Sequence, residues 1–290
     1  MALSIVAVSC ICGCDGSGKP ADGNSVAPKA RELENADSGG QSAEGSIQSL
    51  IEELAVDSDR EKARERLTQI GTPAIPHLLK ALKNPNPVIR TNVVWALGGI
   101  PESRGSSLPY LIAALHDTDG RFRSAIVWEL GQIGRPVSTL FPLLVEMLDD
   151  DNVHVRVNAA DALVNLSEER RVAGFELPHD KIVDVLCSAL SDDNVWAPCH
   201  AAPVLARLGQ RSRSAIPVLL KTLHHANLLV RVHAGRALYR LDHRHADEVV
   251  QAVVPALEVE GPWTADSAAE LLEEIGTPRA TASLKDHAER

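Results

Sequence analysis

Residues 152–166 read NVHVRVNAADALVNL. Asn152 is a helix-starting residue, because its side chain accepts a hydrogen bond from one of the first orphan backbone N–H groups. Behind it Val155, Ala159, Ala162, Leu163 and Leu166 fall on one side. That is the spacing of an amphipathic helix with a buried stripe.

Outward from this stretch the pattern returns. Leu148 lies eight residues before Arg156, fifteen before Leu163 and eighteen before Leu166. The same offsets hold for Leu82, Arg90, Leu97 and Ile100, for Leu115, Arg123, Leu130 and Ile133, and for Leu223, Arg231, Leu238 and Leu241. Six residues before each reference Leu stands a proline: Pro76, Pro109, Pro142 and Pro217. The first three of these units are 33 residues apart. A fifth unit, around Leu190, keeps Leu205 and Leu208 but has Pro198 in the arginine position. A seventh, around Leu257, keeps Leu272 and Ile275, and a shortened first unit occupies residues 46–70. A fixed period of this size marks a solenoid.

Each unit reads as two helices. Ile216, Leu219, Leu220 and Leu223 give a first helix its apolar face. Asn86, Asp119, Asn152, Asn194 and Asn227 stand at the N-cap of the second helices. Gly71, Gly134, Gly209 and Gly276 stand where second helices close, positions that favour a left-handed residue. One helix pair cannot bury its own apolar face, so stability has to come from stacking. The ends should then be polar, and EELAVDSDREKARERL (52–67) and ATASLKDHAER (280–290) are. The expected fold is all-α, an α-solenoid of about seven helix pairs over residues 46–290 with a polar C-terminal cap.

Composition agrees. Aromatics make up only 3% of the chain, which suits helices packed through small and aliphatic side chains. The formal net charge of −10 argues against general nucleic-acid binding, which needs Lys and Arg to replace counterions.

The N-terminus differs from the rest. Residues 2–13, ALSIVAVSCICG, are apolar but too short to span a bilayer as a helix. Ile11-Cys12-Gly13-Cys14 resembles a bacterial lipobox. That resemblance makes residues 1–14 a lipoprotein signal peptide and Cys14 the lipidated residue. Ala7-Val8-Ser9-Cys10 is a weaker second candidate, and no Lys or Arg precedes the run. Residues 15–45, rich in Gly, Ser, Ala, Asp and Asn, read as a flexible linker. The expected location is a bacterial cell envelope, with the membrane reached through the lipid anchor alone; the alternative is cytoplasmic.

The repeats resemble HEAT repeats, especially the short HEAT-like class of phycobilisome lyases, over about residues 46–276. The resemblance implies the solenoid fold and leaves function open, since such repeats serve scaffolds, adaptors and a few enzymes. Deoxyhypusine hydroxylase, of similar architecture, holds iron through His-Glu pairs. Here the corresponding dipeptides are Trp95-Ala96, Trp128-Glu129, Asp161-Ala162, Pro203-Val204 and Arg236-Ala237, so that oxidoreductase chemistry is not expected. A bilin-lyase-like enzyme or enzyme subunit remains the alternative to a binding module. No metal site, cofactor or catalytic residue is expected. Cys187 and Cys199 read as small apolar filler, with a disulfide the minority reading.

What remains is surface. In HEAT-like stacks the second helices line the concave face. Positions ten and thirteen after the reference Leu should turn toward that groove, which selects Trp95, Trp128, His200, His233 and Arg236. Residues 200–245 carry eight Lys and Arg and only Asp242 as an acid, and Arg207 and Arg240 extend this band. The expected partner is a protein with an acidic surface. Arg90, Arg123, Arg156 and Arg231 recur at one position and are expected to form a structural ladder between units. An insertion at 167–178 lengthens the fourth-to-fifth step, read as a surface loop or a partner-binding loop.

Overall fold

A computed structural model describes residues 40–168, 174–259 and 262–289. The expected signal peptide, Cys14 and most of the linker lie outside the described residues. The expected boundary at residue 46 is passed by the first helix, α1, which runs Gly40–Glu53. Once Ile47, Leu50 and Ile51 are buried, extending a helix backward is easy because its nucleus already exists.

The helices pair as the period predicts. α1 pairs with α2 (Arg60–Ile70), α3 (Ile75–Ala81) with α4 (Pro87–Gly98), and α5 (Arg104–Ala113) with α6 (Gly120–Ile133). Then come α7 (Val137–Glu146) with α8 (Val153–Glu168), α9 (His179–Ala189) with α10 (Trp196–Leu208), and α11 (Ile216–Thr222) with α12 (Leu228–Leu241). α13 (Ala246–Val253) and α14 (Pro262–Ile275) form the seventh pair, and α15 (Pro278–Ala288) ends the stack. Ala280 is the one buried residue of α15, as a polar cap requires.

Local chemistry sets the helix ends. Asn86, Asp119, Asn152, Asn194 and Asn227 each accept a hydrogen bond from a backbone N–H of the following helix, at 2.8–2.9 Å. Gly134 closes α6 in the left-handed region, φ 62°, and donates its N–H to the Leu130 carbonyl at 3.0 Å. A side chain there would meet its own carbonyl.

The reference leucines Leu82, Leu115, Leu148, Leu190, Leu223 and Leu257 are all buried, as are Leu97, Leu130, Leu163, Leu205, Leu238 and Leu272 fifteen residues later. Second helices pack directly on one another from α2 to α14, whereas successive first helices are less closely packed. This closer-packed layer of second helices is called the inner face. Small residues permit that closeness. A Cβ added at Gly131 would lie 2.7 Å from the Ala162 Cβ.

The arginines form a graded series. Arg90, Arg123 and Arg156 each donate Nη1 to the carbonyl six residues upstream, at 2.8–2.9 Å, and Arg231 does so through Nε at 2.6 Å. Two also reach the next unit. Arg90 Nη2 donates to Asp117 at 2.8 Å, and Arg123 grips Asp150 with Nε and Nη2 at 2.8 and 2.7 Å. Arg156 and Arg231 hold carbonyls of their own loop.

The described part of the insertion is anchored. Phe175 packs on Phe141 with ring centroids 4.7 Å apart, and Leu177 is buried. Cys187 and Cys199 form no disulfide.

Candidate functional site

The inner face is a series of rows, each formed by one position repeated on successive second helices. Trp95 on α4 and Trp128 on α6 occupy the same position one unit apart. Direct packing of those helices brings their ring centroids to 4.9 Å, tilted by 59°. Both rings remain partly exposed. Beside them Asn158 ties α8 to α6, donating Nδ2 to the Ser124 carbonyl and hydroxyl at 3.0 Å each.

Further along, a second aromatic group forms. Trp196, at the start of α10, lies 4.3 Å from the His154 ring and stacks on His200 at 4.1 Å with 19° between planes. His200 follows Trp196 by four residues, so both stand on one side of the helix. Neither His154 nor Trp196 was singled out by sequence. Both occupy position six after the reference Leu, one turn before position ten. Testing that earlier turn would have found them, together with Trp263, which is 58% exposed.

The cationic character expected of this face is corrected by its pairing. Arg207 donates to Asp161 at 2.5 Å, to Asn165 at 2.6 Å and to Glu168 at 2.8–3.1 Å. Arg236 donates to the Ser267 carbonyl at 3.1 Å and to Glu270 at 3.2 Å. Arg240 donates to Glu274 at 3.1 Å. The acidic stretches on either side of the band thus supply its counterions. His200 and His233 are not cations at neutral pH. Burial is the main cause for both, and neighbouring His233 and His154, or Arg236, add to it; each is held down at about 4. Of the residues expected on this face, the two tryptophans are in ring contact, and Arg207, Arg236 and Arg240 are paired with carboxylates of neighbouring second helices.

Glu129 was also missed. It stands on α6 beside Trp128, only 2% exposed, where other units carry Ala96, Ala162 and Ala237. Its carboxyl occupies space left by Gly98 on α4, and a Cβ there would collide with it. Burial pushes its pKa up to about 7 against a smaller opposing pull from Arg104. A charge in a column otherwise apolar, Ala96, Ala162, Val204, Ala237 and Leu271, was the available signal.

Among the described residues, no group of three His, Cys, Asp or Glu is placed to hold a metal ion. No described helix is long and apolar enough to cross a membrane.

Among the described residues, seven stacked helix pairs define an α-solenoid. The family model for HEAT repeats matches residues 47–119, 108–176 and 216–290, well over half of the sequence, and the chain belongs to the HEAT-repeat family. No curated protein matches it. Among solved structures it is similar to the karyopherin Kap121p, at 16% identity and TM-score 0.57, over 79% of this chain and 29% of that one. Kap121p bound to Pho4p is similar at 16% identity and TM-score 0.56, over 83% and 29%. The chain thus spans under a third of the karyopherin's length. The complex of CpcE and CpcF of phycocyanin lyase from Nostoc sp. PCC7120 matches at 21% identity and TM-score 0.45, over 72% and 79%.

Proposed function

We propose that this chain is a non-catalytic protein-binding or scaffold module, tethered to a bacterial membrane through lipid on Cys14, whose protein partner lies along the inner face. The observation that carries this reading is the Trp95–Trp128 pair, with large rings in contact and still partly exposed. Aromatic side chains offer much contact area at little conformational cost. Kap121p, similar in fold, has been solved with Pho4p and with the extreme C-terminus of the protein phosphatase Cdc14p; protein binding on such a frame supports the reading. Because Arg236 and Arg240 are already paired with Glu270 and Glu274, an acidic partner would have to exchange with those carboxylates. Aromatic contact then supplies most of the affinity and charge mainly the orientation.

The test is affinity capture from native membranes, then binding kinetics with the partner recovered. Trp95→Ala/Trp128→Ala should speed dissociation, and Arg236→Glu/Arg240→Glu should change the salt dependence of association. Two folded variants that bind like the parent would place the interface elsewhere. Metabolic labelling with a fatty acid tests the tether. Label on the wild type and none on Cys14→Ser is expected; an unlabelled wild type overturns the anchor.

A further inference from the structure

The first helices are packed more loosely on one another than the second, and between α3 and α5 an open cleft has a volume of about 600 Å³. Leu79, Leu82, Pro109, Tyr110 and Ala113 line it together with Phe122, and Tyr110 is 46% exposed. Particular side chains keep it open. In the next unit Glu146 and Met147 stand where this one has Ala113 and Ala114, and Met147 is buried. Two alanines withhold volume that longer side chains supply there. The size is within the ordinary range of ligand-binding clefts, roughly 300–1,000 Å³.

Its polar lining is selective. Arg90 lies over the Phe122 ring at 5.0 Å, pairs with Asp117 at 2.8 Å, and has a buried Nε without a hydrogen-bond partner. Lys83, exposed, adds a cation to the lining.

We propose that this cleft is a second binding site, which takes an acidic peptide segment of a protein partner with one apolar side chain inserted between α3 and α5. The apolar walls accept the side chain, Lys83 attracts a flanking carboxylate, and a second carboxylate would have to share Arg90 with Asp117. This goes beyond the inner-face reading and does not depend on it. A chain with sites on both layers of helices can hold two partners at once.

The probe is a fluorescein-labelled Asp-Glu-Phe-Glu-Asp peptide, with Asp-Glu-Ala-Glu-Asp and Lys-Arg-Phe-Arg-Lys as comparisons, titrated with the full chain at low salt by anisotropy. The acidic Phe peptide should bind at least about tenfold more tightly than the other two. Ala113→Met, which fills the cleft from an exposed position, and Lys83→Glu, which reverses the lining charge, should each weaken it by about tenfold. Trp95→Ala/Trp128→Ala should leave it unchanged. Retained binding in both cleft variants, loss in the tryptophan variant instead, or no binding of the acidic Phe peptide at millimolar protein would each overturn the proposal.

Discussion

Glu129→Gln should make this protein more stable at pH 8 and remove part of its pH dependence. The Glu129 carboxyl is buried on α6, and its pKa rises from 4.5 to about 7. Between those values the folded state keeps a proton that the unfolded state has released. Stability therefore falls as pH rises through this window, and the loss is complete above about 7. Each pH unit of separation is worth about 1.4 kcal/mol, so the ionised carboxylate costs about 3 kcal/mol at pH 8. Glutamine has nearly the same shape and does not ionise. It should recover about 2–3 kcal/mol at pH 8 and nothing below pH 4.5. His200 and His233, held down at about 4, act in the opposite sense, since stability is lost as pH falls from 6.5 toward 4 while the unfolded imidazoles charge. They are present in both proteins and cancel in the difference. Urea unfolding of wild type and variant across pH 4–8, followed by circular dichroism and by fluorescence of the adjacent tryptophans, measures that difference. A difference that stays flat across the range, or a glutamine variant less stable at pH 8, would refute the reasoning.

The arginine series should be graded. Arg123→Ala leaves Asp150, whose side chain is only 8% exposed, without its bidentate partner and should cost about 3–5 kcal/mol. Arg156→Ala loses only loop carbonyl bonds and should cost about 1–2 kcal/mol; melting temperatures in the reverse order would show that the forward carboxylate is not what strengthens the ladder. Glycines should divide in the same way. Gly131→Ala puts a Cβ 2.7 Å from Ala162 and should destabilise by about 1–3 kcal/mol. Gly45→Ala, inside α1 with nothing within 4 Å, should stabilise by about 0.5–1 kcal/mol. Equal urea midpoints for the two alanine variants would contradict the close approach of α6 and α8.

The sequence by itself determined the period, the seven helix pairs, the N-caps from Asn86 to Asn227 and the buried leucine rows. Each of these is local or periodic. A cap is satisfied by its own next turn, and a leucine repeated every unit has the same neighbours every time. It also carried the pairing of Trp95 with Trp128, since equal positions on adjacent copies must meet. Only the tertiary structure decided how charge is distributed. Arg207 finds Asp161 and Glu168 on α8, and Arg236 and Arg240 find Glu270 and Glu274 on α14. Summing residues along the chain made a positive band of what the stack neutralises across it. The same holds for Glu129, whose proton affinity depends on Gly98 of another helix, and for the cleft at Ala113, which needs α3 and α5 to diverge. Helix positions follow from short-range steric and hydrogen-bonding rules, whereas electrostatics and cavities depend on distances between elements that packing alone establishes.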